Sequence, residues 1–350
     1  MKCVKIGDRV IGNNNPPFFV AELGICHEGS LNVAIELTKA AVEAGAHCIK
    51  TEAFQRRKIV FHSSAMMDYS IKGKEYSVSQ EEHMDKYQLC IDDHCQIKKL
   101  CDKLKVPFMA TAHDFETVDM LEDIGASAIK IASPDIVHYP LLQYVAKKKL
   151  PVFLDTGSSY QFEVEMALKV LQDEGLKDII INHNPSGHPA PAEQQDLRII
   201  QGLKCVTDFP VGITDHYEGY DMVYAAVAMG ADSIEKPISL DRFVTEPERN
   251  MSISIGDLKN VLKKMNEVFS SLGQRQRTTM SESGERYRFN NRMSCIASSD
   301  LSIGSEINFE NVTFGRPHIG IGVEHWDLIA GRKLTRPVKA NEFIHWGDVD

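Results

Sequence analysis

Two runs decide how the chain is read: Val211-Gly212-Ile213-Thr214-Asp215-His216 and, past the apolar stretch Ala225-Ala226-Val227-Ala228-Met229, Ala231-Asp232-Ser233-Ile234-Glu235-Lys236. The first is a strand tipped by Asp215 and His216, the middle stretch a helix, and the second a strand tipped by Glu235 and Lys236. Strands that end on polar residues and lead into helices are what a (β/α)8 barrel places around its catalytic mouth.

Working outward, the same unit recurs. Phe18-Phe19-Val20-Ala21-Glu22 is an apolar strand ending on a carboxylate, and the helical periodicity from Leu31 stops at Gly45. Further strands are predicted over 47–54, 107–111, 128–132, 151–155, 178–183, 210–214 and 232–236, which with 18–22 makes eight. Helices are predicted over 31–44, 80–103, 115–124, 140–148, 162–174, 192–203, 220–229 and 255–272. The predicted fold class is therefore α/β, a TIM barrel over 1–272. A hairpin over 3–12, turning at Gly7-Asp8, precedes it and is placed to plug the closed end. An insertion over 55–79 follows the second strand, on the side where barrels carry functional loops. Residues 273–292 turn to Gln, Arg, Thr, Ser, Glu and Asn and read as a linker. Glycine-punctuated short strands over 293–350 read as a small, mostly-β module.

Composition narrows the classes. The 350 residues suit a barrel of about 250 plus a small module. With 43% hydrophobic and 25% charged residues the chain can bury a full core. A formal charge of -10 argues against general binding to nucleic acid or an anionic membrane. The eight cysteines show no CxxC pair or zinc spacing, and the cluster of Cys90, Cys95 and Cys101 near His94 does not repeat as a ligand set, so reduced thiols are expected. No signal core or 18-residue apolar run is seen, and a cytoplasmic location is expected.

If the barrel holds, its mouth collects Glu22, Lys50 with Glu52, Thr111 with Asp114, and Lys130 with Ser133 and Asp135. It also collects Asp155, His183 with Asn184, Asp215 with His216, and Glu235 with Lys236. Lys50 and Lys130, with Thr111 and Ser133, suit a phosphate or carboxylate. The plainer reading is an internal salt-bridge network with Glu22, Glu52 and Asp135. His216 and His183 suit a metal or proton transfer.

In order and in register with these strands, the chain resembles the sialic acid synthase (N-acetylneuraminate synthase) family. The matching residues are Ala21-Glu22-Leu23-Gly24 with His27 and Gly29, Ile49-Lys50, Thr111 with Asp114, Lys130-Ile131-Ala132-Ser133 and Thr156-Gly157. The match continues through His183, Ser186, Pro189, Gly212, Asp215-His216, Gly230-Ala231, Ile234-Glu235-Lys236 and Leu240-Asp241. In the last module, Arg316-Pro317 with Gly320-Ile321 resembles the family's antifreeze-like (SAF) domain.

The resemblance implies condensation of phosphoenolpyruvate with an N-acylated amino sugar or related aldose, giving a 2-keto-3-deoxy acid and phosphate. It implies phosphoenolpyruvate held by Lys50, Thr111, Lys130, Ser133 and Ser186, and the sugar met by Glu22, His188, Glu248 and Arg316. Glu22, Lys50, Lys130 and His216 are the implied catalytic set, with a divalent metal, manganese or magnesium, at His216. It further implies a domain-swapped homodimer in which Arg316 reaches over the partner's barrel.

Departures fall at the site. Pro237 stands where the family's second metal histidine is expected, Glu248 where an aspartate is expected, Ser186 and His188 for an asparagine and a tyrosine, Asp155 for a serine and Glu52 for a glutamine. A metal site rebuilt around His216 and a metal-independent mechanism are both open at this stage, since the related Kdo phosphate synthases occur in both forms. Two other readings stand beside the synthase: a Schiff-base keto-acid lyase using Lys130 or Lys236, and a non-catalytic sugar-binding relative.

Overall fold

Eight parallel strands close on themselves in the first of two units of the computed structural model, which describes residues 2–61, 66–71, 74–241, 247–274 and 276–350. They are β1 (Phe18–Glu22), β2 (Cys48–Ala53), β3 (Phe108–Ala112), β4 (Ala128–Ile131), β5 (Val152–Asp155), β6 (Ile179–His183), β7 (Val211–Thr214) and β8 (Ser233–Ser239). Each pairs with the next, and β8 returns to β1 in a register running from Ser233 opposite Phe18 to Pro237 opposite Glu22. The outer helices are α1 (Leu31–Ala44), α2 (Ile91–Leu104), α3 (Phe115–Asp123), α4 (Tyr139–Lys147), α5 (Gln161–Asp173), α6 (Arg198–Val206), α7 (Asp221–Ala228) and α8 (Ile255–Ser271).

Side chains alternate along each strand, and the two faces have different partners. Outward residues such as Phe19, Ile49, Phe108, Ile129, Leu154, Ile181, Ile213 and Ile234 are buried against the helices, on faces that include Leu37, Ile97, Leu121 and Leu142. Each such side chain contributes about 1.5–3 kcal/mol. Inward residues at the strand starts, Phe18, Val20, Cys48, Met109, Ala128, Phe153 and Ile180, form a second apolar cluster with Val4, Ile6 and Ile11. The last three come from the N-terminal hairpin Val4–Ile6 and Arg9–Ile11, which plugs that end as expected.

Three elements of the first unit differ from the sequence reading. The helix predicted over 80–103 is two, Gln80–Tyr87 and α2, because Gln88 and Cys90 are extended and Asp93 accepts the Cys90 N–H at 2.9 Å, starting a new helix. Within 192–203, a 3-10 turn, Ala192–Gln194, precedes α6, and Asp196 at φ 42 breaks the periodicity. Strand β8 runs beyond Lys236 because Ile238 and Ser239 pair with Ile253 and Ser254. In the insertion over 55–79, Arg56–Ile59 is helical and Met66–Ile71 pairs antiparallel with Lys74–Ser79; residues 62–65 and 72–73 lie outside the described residues.

The first unit ends at Leu272 and the second is Gly273–Asp350. Within the stretch whose composition reads as linker, Glu282–Asn291 is a helix, with Ser281 accepting the Gly284 N–H. None of its residues is buried, so it leaves no apolar stripe in the sequence. Beyond it Ser294–Ala297 pairs antiparallel with Val312–Gly315 over a separate core that includes Cys295, Ile307, Ile321, Leu334, Val338 and Ile344. Among the described residues, no helix is long and apolar enough to cross a membrane. Among the described residues, none of the eight cysteines forms a disulfide.

Candidate active site

One step above the apolar layer, the inward positions become polar on every strand: Glu22, Lys50 with Glu52, Thr111, Lys130, Asp155, Asn182, Thr214 and Glu235. This is the C-terminal end of the strands, where barrels hold their sites. A cavity of about 520 Å³ opens above them.

Its floor is a chain of hydrogen bonds. Ser233 Oγ donates to Asn182 Oδ1 at 3.0 Å, Asn182 Nδ2 to Thr214 Oγ1 at 3.2 Å, and Thr214 Oγ1 to Asp155 Oδ1 at 2.8 Å. Gly212 makes room for it, since a Cβ there would lie 1.9 Å from Ser233 Oγ and 2.6 Å from Asn182 Oδ1.

Both lysines are committed to carboxylates. Lys130 Nζ lies 2.5 Å from Glu235 Oε1, 2.8 Å from Asp155 Oδ1 and 3.1 Å from Thr214 Oγ1. Lys50 Nζ bonds Glu22, Glu52 Oε1 at 2.8 Å and Glu235 Oε1 at 3.0 Å, so one oxygen of Glu235 bridges the two ammoniums. Thr111 Oγ1 donates to Glu52 Oε1 at 2.7 Å. Ion pairs this deep depend on their hydrogen bonds, because each unpaired charge would cost several kcal/mol; Glu22 Oε2 and Glu235 Oε2 nonetheless have no partner among the described residues.

The carboxylates divide by how much cation each receives. Burial works against Glu235, yet Lys130 and Lys50 hold it below the usual range; Glu52 is held well below by Lys50 and His113 against the same cost. Burial pushes Glu22 up to about 8 against the pull of Lys50, and Glu248 up to about 7 against its bond from the Ile25 N–H. Asp155 is also raised by burial, although Lys130 opposes this. His113 is raised to about 9 despite burial, through Asp135 Oδ2 at 2.6 Å and Glu52.

Of the residues expected at the mouth, Glu22, Lys50, Glu52, Thr111, Lys130, Ser133, Asp155, Asn184, Ser186, His188, His216, Glu235 and Glu248 line this cavity. Ser133 Oγ accepts from Gly157 N at 3.0 Å and Asn184 Nδ2 at 3.2 Å, and Ser186 Oγ lies 2.7 Å from Ser158 Oγ. The rings of His188 and His216 are 4.3 Å apart. Glu248 Oε2 accepts the Ile25 N–H at 2.9 Å.

Others are elsewhere. Asp215 and Lys236, one position beyond inward Thr214 and Glu235, point to the opposite face, where Lys236 Nζ bonds Asp215 Oδ2 and the Tyr217 carbonyl, each at 2.8 Å. Lys236 is fully buried there and does not line the cavity, which removes it as a Schiff-base lysine. By the same alternation His183 turns away, its Nε2 2.8 Å from the Gln195 carbonyl. Asp114 caps α3 through the Thr117 N–H. Asp135 pairs with His113, not with a lysine. Arg316 belongs to the second unit, where it lines a cavity of about 660 Å³ with Arg277, Arg288 and Arg292.

Sequence reasoning missed His113, which alternation would have found, two residues past Thr111. It also missed a wall of Ile25, Phe54, Ile59 and Met84, which comes from three separate segments with no common motif.

The metal implied by the resemblance does not fit the donor set. Pro237 has no donor to offer, and among the described residues His216 Nδ1 is buried without a partner and no group of three or more His, Cys, Asp or Glu side chains is placed to hold an ion. Catalytic metals ordinarily take three protein ligands.

A closed barrel whose strand ends supply buried lysines and carboxylates to one cavity is the architecture of a barrel synthase. Comparison with known proteins identifies it further: the chain belongs to the NeuB family, whose sequence profile matches residues 37–277, and carries a SAF domain over residues 292–350. It is 30% identical to an N,N'-diacetyllegionaminic acid synthase of Campylobacter jejuni, over 93% of this chain and 98% of that protein. It is 32% identical to an uncharacterized protein of Methanocaldococcus jannaschii, over 100% of this chain and 99% of that one. Among solved structures it is similar to the N-acetylneuraminic acid synthetase of Leptospira borgpetersenii, with a TM-score of 0.74, 27% identity, and coverage of 82% of this chain and 96% of that one. The protein is therefore an enzyme, a synthase of the phosphoenolpyruvate-dependent transferase class, and not a binding module that merely kept the barrel.

Proposed function

We propose that the enzyme condenses phosphoenolpyruvate with the open-chain form of an amino sugar or related aldose, releasing phosphate and a nonulosonic 2-keto-3-deoxy acid. The observation that carries this is the pair Lys50 and Lys130, buried at the foot of one cavity and bridged by a single oxygen of Glu235.

An entering anion takes lysine hydrogens now given to carboxylates, with Thr111, Ser133 and Ser186 beside it. C3 of the enol attacks the aldehyde carbon, water adds at C2, and phosphate leaves by C–O cleavage. The lysines offset the anionic charge throughout. Glu22, His188 and Glu248 face the acceptor. The apolar wall of Ile25, Phe54, Ile59 and Met84 suits an acyl or methyl substituent on it, as in an N-acylated sugar. The arginines around Arg316 carry positive charge suited to the acidic mouth of a second copy, which supports the domain-swapped homodimer in which Arg316 reaches the sugar.

The test is phosphoenolpyruvate-dependent phosphate release across a panel of hexosamines and aldoses. Turnover with an acceptor is expected, and its loss in Lys130→Ala and in Arg316→Ala, each checked for folding by circular dichroism. Wild-type turnover in both variants would refute the assignment.

A further inference from the structure

The register of β7 and β8 fixes what can meet at the cavity's upper level. Thr214 stands opposite Glu235, and both face the cavity. Two residues further, Pro237 lies on the same face of β8 opposite Glu22 of β1, and His216 follows Thr214 by two residues, just past the end of β7. A ligand set built from neighbouring strand ends would draw on these positions, and at 237 the side chain is a hydrocarbon ring. The other imidazole near His216 belongs to His188, its ring tilted by 36° with the centroids 4.3 Å apart, and among the described residues the two do not join a third His, Cys, Asp or Glu in a set placed to hold an ion. The carboxylate of Glu248 already accepts the Ile25 N–H.

Like Glu235 Oε2 below them, Glu22 Oε2 and His216 Nδ1 on either side of Pro237 are buried with no partner among the described residues. Both residues line the cavity, and Glu22 is 5% and His216 8% exposed. Such atoms are costly unless a ligand completes them.

Resting on the synthase reading, we infer that this enzyme works without a divalent metal, and that the acceptor's carbonyl oxygen sits between Glu22 and His216 and is activated by a proton from the Glu22 carboxyl group. Position 237 is the determinant: proline there withholds the second imidazole and sets a ring without a donor in register with Glu22. Burial, with Glu235, Glu52 and Glu248 adding to it and Lys50 opposing it, pushes Glu22 up to about 8, so the group holds its proton at neutral pH. The step balances internally. As C3 of the enol bonds to the carbonyl carbon, the Glu22 O–H passes its proton to the carbonyl oxygen. The water that adds at C2 returns a proton to the Glu22 carboxylate. The C2 hydroxyl then gives its proton to the phosphate oxygen as the C2–O bond breaks, leaving the ketone.

Metal binding is measured directly, so the test does not depend on knowing the acceptor. Wild-type enzyme dialysed against a chelator is titrated with manganese and followed by electron paramagnetic resonance, with metal content read by mass spectrometry. The expected result is no stoichiometric site at micromolar manganese and turnover changed less than twofold by chelator. Pro237→His is expected to gain one micromolar manganese site, with Pro237→Ala as the control that does not. Glu22→Gln is expected to lower kcat by about 100-fold or more with KM for phosphoenolpyruvate within threefold, and to remove the alkaline limb of the kcat profile. Wild-type protein that keeps one metal through chelation, or loses activity to chelator and regains it with manganese, overturns the inference even if Pro237→His fails to fold. Absence of turnover with every acceptor would strike the synthase reading, while the manganese titration would still decide the metal.

Discussion

Asp155→Asn tests whether the cavity's lysines serve an incoming anion. Asp155 Oδ1 lies 2.8 Å from Lys130 Nζ, and a substrate oxygen bonded to that ammonium would come within about 5 Å of the carboxylate. Two unit charges at that separation repel by about 3 kcal/mol at an effective dielectric constant near 20. Asparagine keeps an oxygen for Thr214, but its amide meets the Asn184 Nδ2 that now donates to Asp155 Oδ2 at 2.8 Å, a mismatch costing about 1 kcal/mol. The remaining 1–2 kcal/mol corresponds to a drop of about 10-fold in KM for phosphoenolpyruvate at neutral pH. Because burial raises Asp155, the wild type takes up that proton as pH falls and its disadvantage shrinks, so the two KM curves converge in acid. Steady-state phosphate release at fixed acceptor across pH measures this, with a thermal melt to verify folding. An unchanged or higher KM in a folded variant would refute the reasoning, showing that Lys130 does not share its charge between Asp155 and the substrate.

Three further outcomes follow from the packing. Lys50→Met removes the cation bonded to Glu22, Glu52 and Glu235 and is expected to cost about 3–5 kcal/mol in denaturant unfolding at neutral pH, less in acid; a loss below about 1 kcal/mol would mean these carboxylates do not need it. Gly212→Ala sets a Cβ 1.9 Å from Ser233 Oγ and 2.6 Å from the Ser233 carbonyl, for about 3 kcal/mol; Ser233→Ala should restore only part, since the carbonyl contact stays. His27 and His94, both lowered to about 4 by burial, contribute stability that is present above about 6.5 and lost as pH falls through 4, at most about 3 kcal/mol each. His94→Asn should therefore flatten the acid side of the stability profile, and an unchanged profile would count against this account.

Strand positions were legible because alternation and apolar runs are local. Seven of the eight strands begin within one residue of the expected start and end within one of the expected end, and the floor of the cavity follows from reading every second residue at their tips. The same rule, applied one residue loosely, misplaced Asp215, Lys236 and His183: each adjoins an inward residue, and only register separates Glu235 in the cavity from Lys236 behind the sheet. What local pattern cannot supply is partnership. That Glu235 bridges Lys50 and Lys130, residues 185 and 105 positions away, exists only once the barrel closes. The helix Glu282–Asn291 was hidden for the opposite reason, having no buried face to write a period into the sequence.

Asp155 and Glu52, which depart from the resembled pattern by adding negative charge, and Pro237, which withholds a metal ligand, all push the mouth toward excess negative potential. The fold answers locally. Asp155 is set on Lys130, and Glu52 on Lys50 with His113 beside it. Glu22 and Glu248, receiving a smaller share of these cations, are raised to about 8 and 7. These are groups that change protonation near neutrality in answer to their neighbours. When an anion claims Lys50, the ion pair that holds Glu22 partly ionised weakens, and Glu22 takes up a proton more firmly, at the point where the proposed mechanism sets the acceptor's carbonyl. On the mechanism proposed above, phosphoenolpyruvate binding would thus charge the acid that the next step uses, a coupling that a fixed divalent ion would not provide.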